Sequence, residues 1–146
     1  MYGVINLDKP AGMTSRDCVN QIQGLVRPHK CGHAGTLDPM ATGVLLVCVG
    51  PATRLTDLLH QSTKTYSAEF LLGISADTDD VSGDLSIGTD SGALPTETDV
   101  RAALSNFTGT IMQVPPAYSA VHVQGERAYR MARKGIAPQI QPREVY

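Results

Sequence analysis

The feature that most constrains the fold is an uninterrupted apolar run, Val44-Leu45-Leu46-Val47-Cys48-Val49, which lies between Gly43 and Gly50. The run is the longest of its kind in the chain and is far shorter than the roughly 20 residues that span a bilayer. Its length and the flanking glycines favour a strand. Because no polar residue alternates along it, the sequence predicts a strand that is buried on both faces.

The rest of the chain mixes helical and strand spacings, separated by glycine and proline. This mixture predicts an α+β fold with a mixed, largely antiparallel sheet and flanking helices. The expected elements are a strand at 4–7, a helix at 15–26, the strand at 44–49, a short helix at 52–59, a strand at 66–72, a hairpin or long exposed loop at 73–95, a helix at 97–107, strands at 110–114 and 117–123, a helix at 126–134 and the start of a strand at 142–146.

Two of these helices begin with a capping signal. Thr14 and Thr96 are each followed three residues later by an aspartate, in the position that glutamate usually takes in a capping box. Each helix then carries an apolar face that is expected to point inward. The members of these faces are Cys18, Ile22, Leu25 and Val26 in the first helix, and Val100, Ala103, Leu104 and Phe107 in the second.

Composition excludes several classes of protein. The 146 residues suggest one domain, and no signal peptide is visible at the N-terminus. Three widely spaced cysteines without a CxxC pair indicate reduced thiols in a cytoplasmic protein, with neither a zinc site nor a disulfide scaffold. The formal net charge is -2, but cations cluster late in the chain, where a local basic face can bind phosphates. The members of this cluster are Arg127, Arg130, Arg133 and Lys134.

Gly32-His33-Ala34-Gly35-Thr36-Leu37-Asp38-Pro39 places one carboxylate and one imidazole close to two glycines. Pro39 disfavours helical dihedrals at Asp38, so we expect a bent loop there. A lone aspartate in such a loop is often only a turn residue. Its carboxylate can also act as a nucleophile at a sugar or base carbon, or as a general base. His33 can orient that carboxylate, bind a polar substrate edge, or only donate a hydrogen bond within the loop.

Two further groups have both a structural and a functional interpretation. Asp77, Asp79 and Asp80 lie close together, but they lack the spacing and the distal glutamate of a calcium loop, which favours a solvated turn. Tyr66 follows Lys64 at the start of a predicted strand. It is either a core residue or a stacking platform for an extruded base.

Five ordered segments resemble the motifs of the TruB-type tRNA pseudouridine(55) synthases, a family that includes the guide-RNA-dependent Cbf5/dyskerin relatives. The resemblance covers nearly the whole chain. The segments are GVINLDKPAGMTS at 3–15, GHAGTLDPMATGVL at 32–45, KTY at 64–66, LG at 72–73 with DTDD at 77–80 and Gly83, and QVPPAYSA at 113–120 with Gly125 and RAY at 127–129.

The resemblance implies a pseudouridine-synthase-like fold, with residues 1–146 forming the N-terminal portion of a catalytic domain and no C-terminal PUA domain. It implies that Asp38 is the catalytic residue. Tyr66 would stack on a flipped uracil, His33 would contact the RNA, and Lys64 would take part in substrate binding. The positions implied to be structural are Lys9, Pro10, Gly32 and Gly35.

The activity implied is isomerisation of uridine to pseudouridine at position 55 in the T-arm of tRNA, without a cofactor or a metal. The expected protein is cytoplasmic, does not bind membranes, and is a monomer in its full-length form. Residues 1–146 lack the family's Lys-Gly-Thr-Tyr-x-Arg segment, whose arginine is the expected partner of the catalytic carboxylate. This keeps open a non-catalytic RNA-binding or RNA-folding module. A third hypothesis is a metal-assisted hydrolase that uses His33, Asp38 and the turn at 77–80.

Overall fold

The computed structural model describes residues 1–88 and 94–146. The chain divides into two compact units, Met1–Ala68 and Glu69–Tyr146. Every strand pairing within the described ranges is antiparallel, and helices accompany the strands, which confirms the predicted α+β class. In the same ranges, no helix has the length and apolar character needed to cross a bilayer.

The first unit is built on a three-stranded sheet with the order β1-β3-β2. Helix α1 packs on this sheet, and a 3-10 helix followed by α2 comes directly after β3. The elements of this unit are β1 (Gly3–Lys9), α1 (Ser15–Leu25), β2 (Cys31–Ala34), β3 (Gly43–Val49), the 3-10 helix (Gly50–Leu55) and α2 (Thr56–His60).

The apolar run forms the central strand β3, which explains why it needs no polar face. Leu45 and Val47 pack against Cys18 and Val19 of α1 and form the core of the unit. Cys48 alternates to the other face of the sheet and is also fully buried. The prediction of a strand buried on both faces is therefore confirmed along most of its length. Val44, at the beginning of the strand, is the exception, because 65% of its surface is exposed.

Helix α1 begins at the predicted capping box. The Thr14 hydroxyl accepts a hydrogen bond from the Asp17 backbone, and the Asp17 carboxylate accepts one from the Thr14 backbone. The predicted inward face of α1 is wrong at Leu25, which is 83% exposed. Val19 is fully buried, although it is not part of the predicted face. Leu25 is the last residue of the helix, and no described element covers it there.

The predicted strand at 66–72 is also wrong. Its residues alternate as a strand does, but they form neither a helix nor a strand, and Tyr66 and Phe70 are exposed. An extended segment becomes a strand only when a neighbour satisfies its backbone N–H and C=O groups. No described strand pairs with this segment.

The second unit contains three two-stranded antiparallel pairs: β4 with β5, β6 with β9, and β7 with β8. The pair of β4 and β5 confirms the predicted hairpin, of which residues 89–93 lie outside the described ranges. The elements are β4 (Ile74–Ala76), β5 (Leu85–Ile87), α3 (Glu97–Leu104) with a 3-10 turn (Ser105–Phe107), β6 (Ile111–Gln113), β7 (His122–Val123), β8 (Glu126–Arg127), α4 (Ala128–Arg133) and β9 (Arg143–Val145).

Helix α3 has the predicted capping box at Thr96, but its apolar face is not buried. Leu104 and Phe107 are largely exposed, because no described element covers that side of the helix. The strand predicted at 117–123 is limited to β7. Helix α4 starts later than predicted and ends as expected at Gly135, whose backbone N–H donates to the Ala132 carbonyl at 2.9 Å.

Candidate active-site loop and cleft

Asp38 lies in a non-helical loop, residues 35–42, that joins β2 to β3 and is called here the Asp38 loop. The bent backbone predicted from Pro39 is present. The loop is shorter than predicted, however, because Gly32 and His33 belong to β2, where they pair with Cys48 and Val47. The pairing depends on the central strand β3. Glycine and histidine have no strong preference for strands, so the residue types alone do not predict it.

The residue before Asp38 is held by a buried serine. The Ser15 hydroxyl accepts a hydrogen bond from the Leu37 backbone N–H at 2.9 Å and donates one to the Leu37 carbonyl at 3.1 Å. Ser15 is the first residue of α1 and is only 2% exposed. One hydroxyl can serve as donor and acceptor at once, so it satisfies both backbone groups of Leu37.

The residue after Asp38 is held by a buried lysine. Lys9 is fully buried, and its ammonium donates to the carbonyls of Pro10 at 2.9 Å, Met13 at 2.7 Å and Pro39 at 3.2 Å. The Gly12 backbone N–H also donates to the Pro39 carbonyl, at 2.7 Å. A buried charge is costly unless it is fully hydrogen-bonded, and three acceptors match the three donors of an ammonium.

The N-terminal segment thus fixes the backbone on both sides of Asp38, while the carboxylate itself remains exposed. Within the described part of the chain, the carboxylate has no hydrogen-bond or salt-bridge partner. The one hydrogen bond of this residue within residues 1–88 and 94–146 is through its carbonyl, which accepts from the Ala41 N–H at 3.1 Å. A fixed backbone with an unengaged carboxylate is an arrangement that can present a nucleophile or a base to a ligand.

His33 is half-buried on β2, and its Nδ1–H donates to the Gly35 carbonyl at 2.5 Å. Burial lowers the pKa of His33 below its ordinary value of 6.5, and the nearby charges of Arg16 and His60 act in the same direction. The hydrogen bond to Gly35 opposes this shift. The ring therefore favours its neutral form and contacts the first residue of the Asp38 loop.

His60, the last residue of α2, is a contact that the sequence did not indicate. Its Nε2 accepts a hydrogen bond from the Gly35 backbone N–H at 3.1 Å. Lys64 closes the end of the same helix, because its ammonium donates to the carbonyls of His60 and Ser62, both at 2.8 Å. The two residues are 25 positions apart, and no sequence pattern around His60 predicts its contact with Gly35.

A cleft of about 660 Å³ opens beside the Asp38 loop within the first unit. Gly35, Leu37, Met40, Lys64 and Tyr66 line it, and 67% of the Tyr66 surface is exposed. The remaining lining is rich in hydroxyl groups, supplied by Thr36, Thr42, Ser62, Thr63, Thr65 and Ser67.

The structure therefore brings three of the predicted site residues, Gly35, Lys64 and Tyr66, to one cleft. Asp38 and His33 are not among the described lining residues, but each is a chain neighbour of residues that are. Leu37 precedes Asp38 and Ala34 follows His33 along that wall.

The acidic turn at 77–84 is organised by its own hydrogen bonds. The Asp80 carboxylate accepts from the Ser82 hydroxyl, the Ser82 backbone and the Thr78 hydroxyl, and the Ser82 hydrogen bond is the main cause that lowers the pKa of Asp80. The Asp77 carboxylate accepts from the Asp84 backbone at 2.8 Å. Residues 1–88 and 94–146 hold no group of three or more histidine, cysteine, aspartate or glutamate side chains placed to bind a metal ion.

The cationic side chains at 127–134 make contacts within the second unit. Arg127 donates to the Ala120 carbonyl, and Lys134 forms a salt bridge with Glu126 at 2.6 Å. The guanidinium groups of Arg130 and Arg133 lie 5.9 and 5.5 Å from the centre of the Tyr129 ring. Both cation–π contacts are formed within α4, because all three residues belong to that helix.

Residues 23–146 match the family model "TruB family pseudouridylate synthase (N terminal domain)". The chain is 50% identical over 147 residues to tRNA pseudouridine synthase B of Gloeobacter violaceus, covering 99% of this chain and 49% of that protein. It is 47% identical over 135 residues to tRNA pseudouridine synthase B of Bacillus cytotoxicus, covering 92% of this chain and 44% of that protein.

The fold is also similar to a chain in the crystal structure of a Cbf5-Nop10-Gar1 complex, with a TM-score of 0.53 and 33% sequence identity. This match covers 82% of the present chain and 31% of that chain. The chain spans about half the length of the curated relatives it matches. The family model covers the Asp38 loop and most of the chain. These matches show that the chain belongs to the TruB family of pseudouridylate synthases.

Proposed function

We propose that the protein isomerises uridine to pseudouridine at position 55 in the T-loop of tRNA, with Asp38 as the catalytic residue. Membership of the TruB family and the names of its relatives, tRNA pseudouridine synthase B, support the activity and the substrate. The observation that carries the role of Asp38 is the fixation of the backbone on both sides of it, while its carboxylate stays exposed.

The reaction breaks the N1–C1′ bond of uridine and forms a C5–C1′ bond. The target base must first leave the stacked loop, at a cost of a few kcal/mol, because C1′ and C5 cannot be reached within the stack. The Asp38 carboxylate attacks uracil C6 or ribose C1′ while the glycosidic bond breaks. The base then turns, C5 joins C1′, and the bond to Asp38 breaks, which releases the carboxylate. The proton lost from C5 is balanced by one gained at N1. Product and substrate are isomers, so the proposed reaction needs neither cofactor nor metal.

The cleft supplies the proposed binding surface. Tyr66 presents an exposed ring on which the flipped uracil stacks, and it assists the removal of the C5 proton. Lys64 is the one charged residue among those that line the described cleft, and its cation favours RNA phosphate. His33 contacts the RNA close to the extruded nucleotide. Residues 1–146 act as the N-terminal portion of the catalytic domain of a monomeric, cytoplasmic enzyme.

Asp38→Asn in the full-length gene product tests the proposal. The amide keeps the shape of the side chain but is neither nucleophile nor base, so pseudouridine formation in a T-arm RNA should fall by at least about a thousandfold. The affinity for that RNA should stay within about twofold. Asp57→Asn changes an exposed aspartate of α2 in the same unit and is the matched control, for which we expect unchanged turnover. Retained turnover in Asp38→Asn would refute the assignment.

The second candidate is an RNA-binding or RNA-folding module without turnover. It is favoured by the state of the Asp38 carboxylate, which contacts no cationic side chain in the described part of the chain. A lone carboxylate lacks the charge partner that would orient it. Tight binding of T-arm RNA by the unmodified protein, with no pseudouridine formed under any condition, would identify this module.

A further inference from the structure

Gly35 is held by two histidines from two different elements. Its carbonyl accepts from the His33 Nδ1–H at 2.5 Å, and its N–H donates to the His60 Nε2 at 3.1 Å. Gly35 lies in the wall of the cleft and begins the Asp38 loop. Its φ of 107° lies in a region that side-chain-bearing residues rarely adopt, so local preference alone does not fix the conformation of this residue.

The two hydrogen bonds respond differently to protonation. His33 is the donor in its bond, and an imidazolium is still a donor at Nδ1. His60 is the acceptor, and only a neutral imidazole has an accepting nitrogen. When His60 gains a proton, its Nε2–H faces the Gly35 N–H, and the hydrogen bond is lost.

Other charged and titratable groups lie close to His60. The ammonium of Lys64 donates to the His60 carbonyl at 2.8 Å, and the charge of His60 acts on the pKa of His33. The elements packed against α2 are β2 and the 3-10 helix before it. Their titratable or charged residues are Cys31, His33 and Arg54, and α2 itself adds Asp57.

We infer that His60 is a positioning residue: as a neutral imidazole it holds Gly35, and through it the cleft wall and the start of the Asp38 loop, and it releases them when protonated. Its effect on turnover rests on the proposed function. The hold on Gly35 itself is a property of the folded chain and can be measured without turnover.

The test compares His60→Gln and His60→Ala in the full-length gene product. Glutamine offers an oxygen acceptor that does not titrate, whereas alanine offers none. His60 is exposed, so both variants should fold. His29→Gln is the matched control, because it removes a histidine of the same unit that accepts from the N-terminal amine at 3.0 Å, away from Gly35.

The first measurement is the amide signal of Gly35, followed by NMR in ¹⁵N-glycine-labelled protein between about pH 5 and 8, where histidines change charge. We expect a titration step in the unmodified protein and in His29→Gln, a greatly reduced step in His60→Gln, and the non-bonded position throughout in His60→Ala. A step of unchanged size in His60→Gln, or a bonded position in His60→Ala, would overturn the inference.

The second measurement is pseudouridine formation in T-arm RNA across the same range. We expect kcat/KM to fall about three- to tenfold in His60→Ala, to recover to within about twofold in His60→Gln at neutral pH, and to fall less steeply toward acid pH in His60→Gln than in the unmodified protein. Unchanged kcat/KM in His60→Ala would overturn the positioning role. If the unmodified protein forms no pseudouridine, the proposed function fails, and the Gly35 signal alone decides whether His60 holds the loop.

Discussion

Ser15 and Leu37 are joined by two hydrogen bonds at a single hydroxyl, although they lie 22 residues apart in the chain. The first residue of α1 thereby satisfies both backbone groups of the residue that precedes Asp38. The start of helix α1 therefore helps to fix the conformation of the Asp38 loop.

Ser15→Ala should lower the free energy of unfolding by about 1–3 kcal/mol, because it leaves the N–H and C=O of Leu37 without their partner in a partly buried place. Urea denaturation measures this effect. Ser86→Ala, which truncates an exposed serine on β5, should change the free energy of unfolding by no more than about 0.5 kcal/mol. Equal stability of the two variants would show that the Ser15 hydroxyl does not support the loop.

The parts of the fold that were predictable from the sequence are those with a local cause. The capping box at Thr14 and the apolar run of β3 specify a helix and a buried strand through neighbouring residues alone. The segment at 66–72 has the alternation of a strand, but a strand also needs a partner, and sequence spacing does not show whether one is available. The inward face predicted for helix α3 is wrong for a similar reason, since its apolar residues have no described element to pack on.

In the candidate site, too, the features with a local cause were predictable and those that depend on packing were not. Pro39 made the bent backbone at Asp38 predictable, because its effect acts on the preceding residue. The burial of Lys9 was not predictable from residue type, since lysine is rarely buried unless its ammonium is fully paired. The three carbonyls that pair it come together only in the folded chain. The contact between His60 and Gly35 is likewise a product of packing between α2 and β2.

Gly35→Ala should destabilise the protein, whereas Gly32→Ala should not. At Gly35 a new Cβ would lie 3.8 Å from the Lys64 side chain, an ordinary contact, so the cost comes from the φ of 107° and should be roughly 1–2 kcal/mol. At Gly32 there is no atom within 4 Å and no unusual φ, and alanine is acceptable in a strand. We therefore expect little or no loss of stability for Gly32→Ala.

Thermal or urea unfolding of both glycine variants checks this difference. A destabilised Gly32→Ala would contradict the strand geometry of β2. If Gly32→Ala folds normally but loses RNA binding or turnover, the glycine is required for close approach of a ligand and not for folding.

The stability of the protein should depend on the charge of His33. Because burial lowers its pKa in the folded state below the ordinary value of 6.5, the unfolded chain binds a proton more readily than the folded chain. Its neutral form is therefore favourable to folding above pH 6.5, and stability falls as the pH decreases from 6.5 through the lower pKa of the folded state.

His33→Asn removes this titration and retains an N–H donor for the Gly35 carbonyl. The free energy of unfolding, measured by urea denaturation between about pH 5 and 8, should fall less steeply toward acid pH in this variant than in the unmodified protein. The other three histidines are present in both proteins, so the difference between the two curves reports His33. Parallel curves would show that His33 is not held in its neutral form.

Substitutions of Tyr66 can distinguish a role in RNA binding from a role in the chemical step. Its ring is largely exposed at the cleft, so its replacement should change the free energy of unfolding by no more than about 0.5 kcal/mol. Stacking of a base on an aromatic ring contributes about 1–3 kcal/mol, and Tyr66→Leu should therefore weaken T-arm RNA binding by about tenfold or more. Phe70→Leu, at an exposed aromatic outside the described cleft lining, is the control and should bind normally.

Tyr66→Phe keeps the ring and removes only the hydroxyl. Its affinity for RNA, measured by fluorescence anisotropy, should stay within about twofold of the unmodified protein, while kcat falls if the hydroxyl assists removal of the C5 proton. Equal affinity of Tyr66→Leu and the unmodified protein would contradict the stacking role. Equal kcat of Tyr66→Phe and the unmodified protein would assign the C5 proton to another group and leave Tyr66 as a stacking platform alone.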